Sequence, residues 1–392
     1  MSPLSLFLPF ALSLRVAAAA DPQPATAAGG AGQGLTLRTD DDRYSLKIQT
    51  RMVPRFDLVA LPPDAVDAPE DAHLTRATIA TARLWLGGHV FDPKIQYMTQ
   101  LAYAARDYRD GTISPIFDAY VDAPLGRRGL RLRAGQYFVR FDRLRTVREF
   151  ALQLTDRPIA VTELTLDRDV GLTLYDDALF GDKSPLALHL GLFGGRGINQ
   201  IDARAPAGGL AVARLELRPL GPIDDDSEGD LQNRTRPGLA LGLGGALNHN
   251  TWRTKSTTGG SFTDAPVSYR HAAADLIFKW RGLSLAGEAL LRTQPAGPTT
   301  EGRAGHGAIA QVGYHFRPGI EPTARWSIVR AGADAGAAFR DEVAAAGNEL
   351  SGGLNWYVNG HRFKLQTSGI GRFTPDWERA SLGFATQIDA SF

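Results

Sequence analysis

Residues 381–392, SLGFATQIDASF, carry apolar side chains at alternate positions over the length of a whole strand. Leu382 and Ile388 share one face of an extended chain, whereas Gln387 and Asp389 share the other. A strand of a soluble sandwich shows the same alternation but is usually about 5–6 residues long. A tilted strand that crosses a membrane needs ~9–11 residues. The segment therefore predicts a transmembrane β-strand with one face toward lipid.

The same alternation recurs from Tyr44 to Phe392. We assign sixteen segments, an even number of the kind that single-chain bacterial barrels have. They lie at residues 44–58, 73–91, 94–105, 114–124, 129–139, 167–177, 185–195, 210–219, 236–248, 268–280, 282–292, 305–317, 322–331, 347–358, 361–369 and 378–392. The sequence predicts an all-β fold, a transmembrane antiparallel up-and-down β-barrel of 16 strands over residues 43–392, with no second folded domain.

The connections between these segments alternate in length. Short ones include residues 91–94, 281–282 and Asn359-Gly360, and Asn-Gly is a favoured two-residue hairpin turn. The long ones lie at residues 59–72, 106–113, 140–166, 196–209, 249–267, 293–304, 332–346 and 370–377. Short periplasmic turns and long external loops are the pattern of an outer-membrane barrel.

One connection breaks this pattern, because residues 221–235 are long where a short turn is due. The connection contains an acidic run, DDDSEGD, at residues 224–230. Clustered carboxylates can hold calcium, but the spacing of a calcium-binding loop is missing. We therefore expect a solvated acidic turn.

The N-terminus has the features of a secretory signal. Residues 4–14 form an apolar core, and Ala18-Ala19-Ala20 precedes Asp21 as an A-x-A cleavage pattern, although the only nearby basic residue, Arg15, follows the core. We predict a signal peptide over residues 1–20, with a disordered Ala-rich tail as the alternative. Residues 21–42 are rich in Ala, Gly and Pro, and we expect a flexible periplasmic segment there.

Composition excludes several classes of protein. The formal net charge is +1, so there is no global basic surface for a nucleic-acid partner. The chain has no cysteine, which excludes disulfide frameworks, zinc–thiolate sites and thiol nucleophiles. No G-x-S-x-G, P-loop or H-E-x-x-H motif occurs. We expect no enzyme activity, no metal and no cofactor; a site assembled in space from scattered histidines stays open as an alternative.

Several arginines lie opposite the apolar faces of the predicted strands. In residues 129–136, GLRLRAGQ, the two leucines share one face, and Arg131 and Arg133 share the other. An arginine that faces lipid at the bilayer midplane costs ~2–4 kcal/mol. The arginines must therefore face the lumen, and the same argument turns Arg51 and Arg83 inward.

The longest connection follows the fifth strand and begins with a run of arginines at positions 140, 143, 145 and 148. If this loop folds into the barrel, its cations narrow and charge the channel. Rings of Arg or Lys favour anions and phosphate, and the planar guanidinium matches phosphate oxygens. Mixed helical spacing within residues 141–153 also predicts a short helix. The predicted pore-lining, anion-binding residues are Arg51, Arg83, Arg131, Arg133, Arg140, Arg143, Arg145 and Arg148.

An alternative role for these arginines is structural. Carboxylates are frequent in the same stretch, and arginines paired with them would only hold the loop in place. The candidate partners are Asp142, Glu149, Asp156, Asp167 and Asp169.

The order of several short motifs resembles the phosphate-selective porin O and P family. Residues 76–88, RATIATARLWLGG, look like that family's R-x-R-L-x-x-x-G strand, and residues 117–122, FDAYVD, are similar to its D-A-Y-V-D segment. Residues 133–141, RAGQYFVRF, resemble R-x-G-Q-x-x-x-P-F, with Arg140 in the place of the usual proline. Residues 168–171, RDVG, resemble the segment after the constriction loop, and GLNWYVNG at 353–360 resembles the penultimate hairpin.

This resemblance covers residues 40 to 392 and implies a sixteen-stranded, trimeric barrel in the outer membrane of a Gram-negative-type bacterium. The predicted function is a passive, anion-preferring porin, for phosphate or polyphosphate, whose partners are small inorganic anions, outer-membrane lipid and two further copies of the chain. One alternative is a general or organic-anion porin. Another is a barrel with a structural or catalytic role and no open pore.

Overall fold

The computed structural model describes residues 25–30, 33–60, 73–109, 112–113, 115–126, 129–181, 183–200, 207–263, 265–295 and 301–392. Within these ranges sixteen antiparallel strands follow one another around a closed barrel, which confirms the predicted fold. The strands are β1 Tyr44–Ala60, β2 His73–Val90, β3 Asp92–Ala102, β4 Ile116–Pro124, β5 Arg131–Phe138, β6 Arg168–Asp176, β7 Leu186–Phe193, β8 Gly209–Leu217, β9 Gly238–Thr251, β10 Val267–Trp280, β11 Leu283–Thr293, β12 Gly305–Tyr314, β13 Ile320–Ala331, β14 Asn348–Asn359, β15 Phe363–Phe373 and β16 Arg379–Ser391.

The last strand closes the barrel on the first. β16 pairs with β1 from Leu382 opposite Ala60 to Ser391 opposite Arg51. The terminal Phe392 also exchanges two backbone hydrogen bonds with Thr50, at 2.7 and 3.0 Å. Closure pairs the first and last strands of the barrel, and a barrel satisfies its backbone groups within lipid in this way.

Side chains alternate across the barrel wall as the sequence predicted. On β16, Leu382, Phe384 and Ile388 are exposed on the outer surface, whereas Gln387 and Asp389 are buried inside. The same division recurs on β10, where Leu276 and Trp280 face outward and Asp275 and Lys279 face inward. The outer surface is therefore an apolar belt suited to lipid, and the charged groups are enclosed.

The segment expected to be flexible, residues 21–42, contains two strands in its described part. Ala25–Gly30 and Gly34–Thr39 form a hairpin, and the second strand pairs with β1 from Leu35 opposite Ile48 to Arg38 opposite Ser45. β16 reaches only as far as Arg51 along this edge of β1. The hairpin continues the pairing beyond that point, because the remaining backbone groups of β1 would otherwise lack partners. The predicted signal peptide, residues 1–20, lies outside the described residues, and its boundary stays a prediction.

The two ends of the barrel differ in the length of their connections. One end has short turns, at Phe91, Arg281-Gly282 and Gly360, and is called the turn end. The opposite end has the long connections and is called the loop end. The loop end also carries a helix, α3 Ala337–Ala346, between β13 and β14. No helix in the described ranges is long and apolar enough to cross a membrane.

Candidate pore constriction

The connection between β5 and β6, residues 139–167, folds into the barrel and is called the inner loop. It contains two short helices, α1 Arg143–Thr146 and α2 Ile159–Leu164, with a single 3-10 turn at Glu149–Ala151 between them. The first helix lies inside the stretch whose spacing predicted one. Asp142 caps it by accepting a hydrogen bond from the backbone N–H of Arg145 at 2.8 Å.

Apolar side chains fix the inner loop to one wall of the barrel. Phe141, Leu144, Val161 and Leu164 are buried, and they pack in one cluster with inward side chains of β8 to β13. The strand residues in this cluster are Leu210, Val212, Ala246, Ala273, Ala286, Leu290, Ile309 and Val329. Burial of each large apolar side chain contributes ~1.5–3 kcal/mol. The lumen beside β8 to β13 is therefore filled by a packed apolar core.

Glycine makes room for this packing at β9. A Cβ atom on Gly244 would lie 2.1 Å from the carbonyl oxygen of Phe141. The neighbouring Gly245 points outward, and a Cβ atom there would meet nothing within 4 Å. The absence of a side chain at position 244 is therefore what lets the inner loop approach the wall.

Charged contacts extend the attachment. The guanidinium of Arg143 contacts Asp225 at 2.6 Å and Asp275 at 2.8 Å. Glu288 accepts hydrogen bonds from the backbone N–H groups of Arg143 and Leu144, at 3.2 and 3.0 Å. Because these groups are buried, loss of one partner leaves the other uncompensated at a cost of ~3–5 kcal/mol.

The acidic connection between β8 and β9 also lies inside the barrel, contrary to the solvated turn that we expected. Within this segment, called the inner turn (residues 221–235), Asp225, Glu228 and Asp230 are buried. Lys279 donates to the carbonyl oxygens of Asp224 and Ser227, at 2.7 and 2.6 Å. The acidic residues were misjudged because several of their partners are distant in sequence, as for Asp225 with Arg143 of the inner loop and Glu228 with Gln311 of β12. The extra length of this turn is used to reach the lumen.

The inner loop and the inner turn meet inside the barrel. Glu228 accepts a hydrogen bond from the backbone N–H of Gln153 at 2.7 Å and another from Gln311 Nε2 at 2.8 Å. Its own N–H donates to the carbonyl oxygen of Ala151 at 3.2 Å. A segment from the loop end and one from the turn end thus hold each other across the lumen.

Cavities remain along the opposite wall, where β16 and β1 to β7 face the inner loop. On the turn-end side, a vestibule of about 920 Å³ adjoins a second cavity of about 450 Å³, and the two share Tyr120, Arg148, Phe150 and His361 in their linings. On the loop-end side, Glu149 and Arg157 help to line a cavity of about 180 Å³, called the loop-end cavity. The backbone from 148 to 152 separates the two sides.

Cationic side chains dominate the vestibule. Arg38, Lys47, Arg148 and Arg362 line it, and none of the described residues in its lining is Asp or Glu. The loop-end cavity is lined by the four arginines at positions 51, 106, 145 and 157, against the two carboxylates of Glu149 and Asp156. The open space on both sides of the inner loop therefore has an excess of positive charge.

Two of the predicted pore arginines share one carboxylate near the turn end. Arg131 Nε and Arg133 Nε lie 2.6 and 2.8 Å from the two oxygens of Asp122. Arg133 also lies over the ring of Tyr120, at 4.5 Å from its centroid, and it lines the 450 Å³ cavity. Both face the lumen side of the wall, and their charge is largely balanced by Asp122 and the aromatic rings.

The predicted arginines of the inner loop have three different environments. Arg143 is buried between Asp225 and Asp275 and reaches neither side of the passage. Arg140 and Arg145 line cavities while contacting Glu216 at 3.4 Å and Asp167 at 2.5 Å. Arg148 lines both turn-end cavities, and no carboxylate of the described chain lies within 4.0 Å of it.

The other two predicted strand arginines, Arg51 and Arg83, are buried. Arg51 donates to both oxygens of Asp389, at 2.7 and 2.6 Å, and Arg83 binds Asp107 in the same two-point manner. Seven of the eight predicted arginines thus form an ion pair with a carboxylate, as in the alternative in which these arginines have a structural role. Anion binding by any of them stays a prediction.

Sequence reasoning missed Arg38 and Arg106, which line the cavities. Arg38 lies in the segment that was expected to be flexible, and Arg106 lies in the loop between β3 and β4. Neither position has a periodic pattern that would assign its face. Only the folded chain brings these loop residues to the lumen.

No family model and no curated protein matches this chain. Solved outer-membrane proteins share its fold at low identity. A loop L8 deletion mutant of OmpT, an outer membrane protein of Vibrio cholerae, superposes with a TM-score of 0.56 at 7% identity, covering 88% of this chain and 99% of its own. The outer membrane channel DcaP of Acinetobacter baumannii has a TM-score of 0.56 at 12% identity, with 88% and 97% covered. Pseudomonas putida OprB has a TM-score of 0.53 at 10% identity, with 88% and 94% covered.

The fold and its surface together give the location of the chain. A closed antiparallel barrel with an even number of strands and an apolar outer belt is the architecture of bacterial outer-membrane proteins. The chain is therefore an outer-membrane β-barrel.

Proposed function

We propose that this barrel is a passive channel that prefers anions, with phosphate as a candidate solute. The observation that carries the proposal is the vestibule, which four cationic side chains line without a single Asp or Glu among its described residues. Charged walls of one sign within a low-dielectric boundary raise the local concentration of the opposite ion. Anions should therefore accumulate at the turn end.

The charge of the loop-end cavity supports the same preference. Its arginines outnumber its carboxylates, so an ion that crosses the inner loop meets an excess of positive charge on both sides. Guanidinium groups match the oxygens of phosphate and carboxylate through paired hydrogen bonds. Clustered Arg or Lys side chains along a pore are one way in which pores favour anions.

Organic anions are a second candidate class of solute. Besides its cations, the vestibule is lined by Trp85, Tyr97, Tyr120 and Phe150. Aromatic surfaces bind apolar parts of a ligand, whereas bare inorganic ions need only the charges. A general or organic-anion porin would use both features.

We also propose that the chain belongs to the phosphate-selective porin O and P family and forms a homotrimer. The ordered motifs at residues 76–88, 117–122, 133–141 and 168–171 support the family, and the fold is the one that it implies. A trimer form of Vibrio cholerae OmpT, with a TM-score of 0.52 at 9% identity, has the same fold. Light scattering of the detergent-solubilised protein tests the trimer directly.

The decisive experiment is reversal potential across a planar bilayer in a salt gradient. Wild-type protein should give an anion-selective potential that weakens as salt rises, because screening shortens the reach of the charges. Arg148→Glu should shift the potential toward cations. Arg340→Glu, on the exposed face of α3, changes the net charge equally and should not shift it. Cation selectivity of the wild type would contradict the proposal, and a complete lack of conductance would favour a barrel without an open pore.

A further inference from the structure

One carboxylate lies at the centre of the arginines on the loop-end side. Glu149 Oε2 is 2.8 Å from Arg106 Nη2, 3.8 Å from Arg51 Nη1 and 3.9 Å from Arg83 Nη2. It also accepts a hydrogen bond from Thr81 Oγ1 at 3.3 Å. Its other oxygen, Oε1, makes no hydrogen bond in the described part of the chain. Three cations therefore converge on a single oxygen atom.

The surrounding cations are only partly neutralised by other groups. Arg51 and Arg83 have Asp389 and Asp107 as paired partners, and Arg145 has Asp167. Arg157 donates only to the carbonyl oxygens of Leu144 and Val147, and no carboxylate of the described chain lies within 4.0 Å of it. The cluster of five guanidiniums thus keeps a positive excess even with Glu149 in place.

Some donors of this cluster are also left without acceptors. The Nε atoms of Arg83 and Arg145 are buried and have no hydrogen-bond partner among the described residues. A buried N–H without a partner costs ~1–3 kcal/mol. Such groups gain from an additional acceptor, which the single bound oxygen of Glu149 does not supply.

We propose that the loop-end cavity is a binding site for a small multivalent oxyanion, and that Glu149 occupies this site as a tethered counter-ion which the permeant anion displaces. The inference rests on the proposed channel function, and it describes how a permeant anion binds on the loop-end side of the inner loop. A tetrahedral oxyanion such as phosphate or sulfate presents several oxygens, so the guanidiniums can each bind a different one. The glutamate offers them only one.

The dimensions of the site fit this exchange. The cavity has a volume of about 180 Å³, the space of about six water molecules in the liquid. Glu149 lies on a single 3-10 turn, and nearly a third of its side chain is exposed, so the carboxylate can rotate away without moving a strand. Threonine hydroxyls at 81, 155 and 162 and the amide of Gln387 complete the polar lining.

Glu149 keeps its negative charge while it occupies the site. Burial acts to raise the pKa of this carboxyl group, but Arg106, Arg83 and Arg51 together outweigh burial and hold the pKa well below its ordinary value. Displacement is therefore an exchange of one anion for another, and protonation of the glutamate is not needed at neutral pH.

The test compares two variants that each remove one negative charge from the same cavity. Glu149→Gln removes the central carboxylate, whereas Asp156→Asn removes one that Arg55 binds at the edge, at 2.8 and 2.6 Å. Sulfate and phosphate binding to the solubilised full-length protein is measured by calorimetry, and block of chloride current by sulfate is measured in bilayers. Glu149→Gln should bind sulfate about tenfold more tightly, equivalent to ~1.4 kcal/mol, and Asp156→Asn should tighten binding by a clearly smaller factor, because Arg55 binds that carboxylate at the edge of the cavity.

Each outcome has a defined meaning. Equal tightening in both variants would mean that only the overall charge matters, and weaker binding in Glu149→Gln would make this carboxylate a structural group; either result overturns the inference. If Glu149→Gln fails to insert, Glu149→Asp takes its place and should tighten binding by a smaller factor, because the shorter side chain reaches the arginines less well. Tight binding by a protein that does not conduct would refute the proposed function alone.

Discussion

The backbone N–H of Gln153 donates a hydrogen bond to Glu228 Oε2 at 2.7 Å, and this contact joins the inner loop to the inner turn. The two segments enter the barrel from opposite ends, 75 residues apart in the chain. Because each is fixed to the wall by its own contacts, the bond between them determines how firmly the lumen is closed. We therefore expect the width of the passage to depend on this contact as well as on the strands.

Removal of the Glu228 carboxylate should loosen the constriction. In Glu228→Ala the N–H of Gln153 loses its acceptor, at ~1–3 kcal/mol for a buried group, and the amide of Gln311 keeps only Gln153 Oε1, at 2.9 Å. We expect larger single-channel conductance with more frequent transitions between levels. Asp226→Ala removes an exposed carboxylate of the same turn, for which the described part of the chain shows no hydrogen bond to the inner loop, so its conductance levels should remain stable. Identical traces for both variants would show that the contact does not set the width.

A side chain at Gly244 should displace the inner loop. Its Cβ atom would lie 2.1 Å from the carbonyl oxygen of Phe141, so Gly244→Val forces the loop away from β9 and should increase conductance. Gly245→Val adds the same side chain on the outer face, where there is open space, and serves as the matched control. Single-channel recording of both variants checks this. An unchanged conductance in Gly244→Val would mean that the strand moves and the loop does not.

Reversal of charge at Arg131 and Arg133 should shift selectivity toward cations. The double Glu variant places two carboxylates beside Asp122, which the arginines now neutralise, so the shift should be larger at low salt than at high salt. The double Lys variant should keep the anion preference but weaken phosphate interaction, because the charge stays and the planar fork is lost. Wild-type selectivity in a double Glu variant that inserts normally would make both residues purely structural.

Acid should release the inner loop from the loop end through Glu163. This carboxylate contacts Arg292 at 2.6 Å and Arg303 at 2.8 Å; burial acts to raise its pKa, but Arg303, Arg292 and Lys255 lower it to about 2. Because the folded pKa is below the ordinary value of 4.5, the stabilisation of about 3 kcal/mol is complete above that value and is lost as pH falls toward 2. Glu163→Gln should therefore have a lower melting temperature than wild type at pH 7. The difference between the two melting temperatures should disappear in acid.

Glu342→Gln is the control for this experiment, since Glu342 binds the same Arg303 from the exposed side. An exposed pair contributes only ~0–1 kcal/mol, so this variant should stay close to wild type at every pH. A difference in melting temperature between Glu163→Gln and wild type that stays constant down to pH 2 would refute the role of ionisation of Glu163.

Sidedness can be tested with single cysteines, because the chain has none of its own. Gly260 and Ala338 are exposed at the loop end, and cysteines there should react with an impermeant thiol reagent on whole cells. A cysteine at Asn359, exposed at the turn end, should react only after the outer membrane is permeabilised. The reverse labelling would mean that the barrel is inserted with the opposite orientation.

The sequence alone determined the wall of the barrel. The period-two pattern identified all sixteen strands with ends that differ from the structure by at most four residues, as for residues 361–369 against Phe363–Phe373. Lipid imposes this pattern directly, because each outward residue must be apolar whatever its neighbours are. The inward direction of Arg131 and Arg133 followed from the same constraint. Each of these conclusions depends only on a residue and its position in its own strand.

Only the tertiary structure decided how the lumen is filled. The partners of the loop arginines are distant in sequence, as for Arg143 with Asp275 and Arg51 with Asp389. The acidic residues of the inner turn likewise look like solvated charges until Lys279 and the inner loop are placed beside them. Lipid surrounds the outside of the barrel uniformly, but the interior has no uniform solvent that determines which residue types can lie there. The energy of each charge there is set by the individual group that the fold brings next to it, which local sequence does not specify.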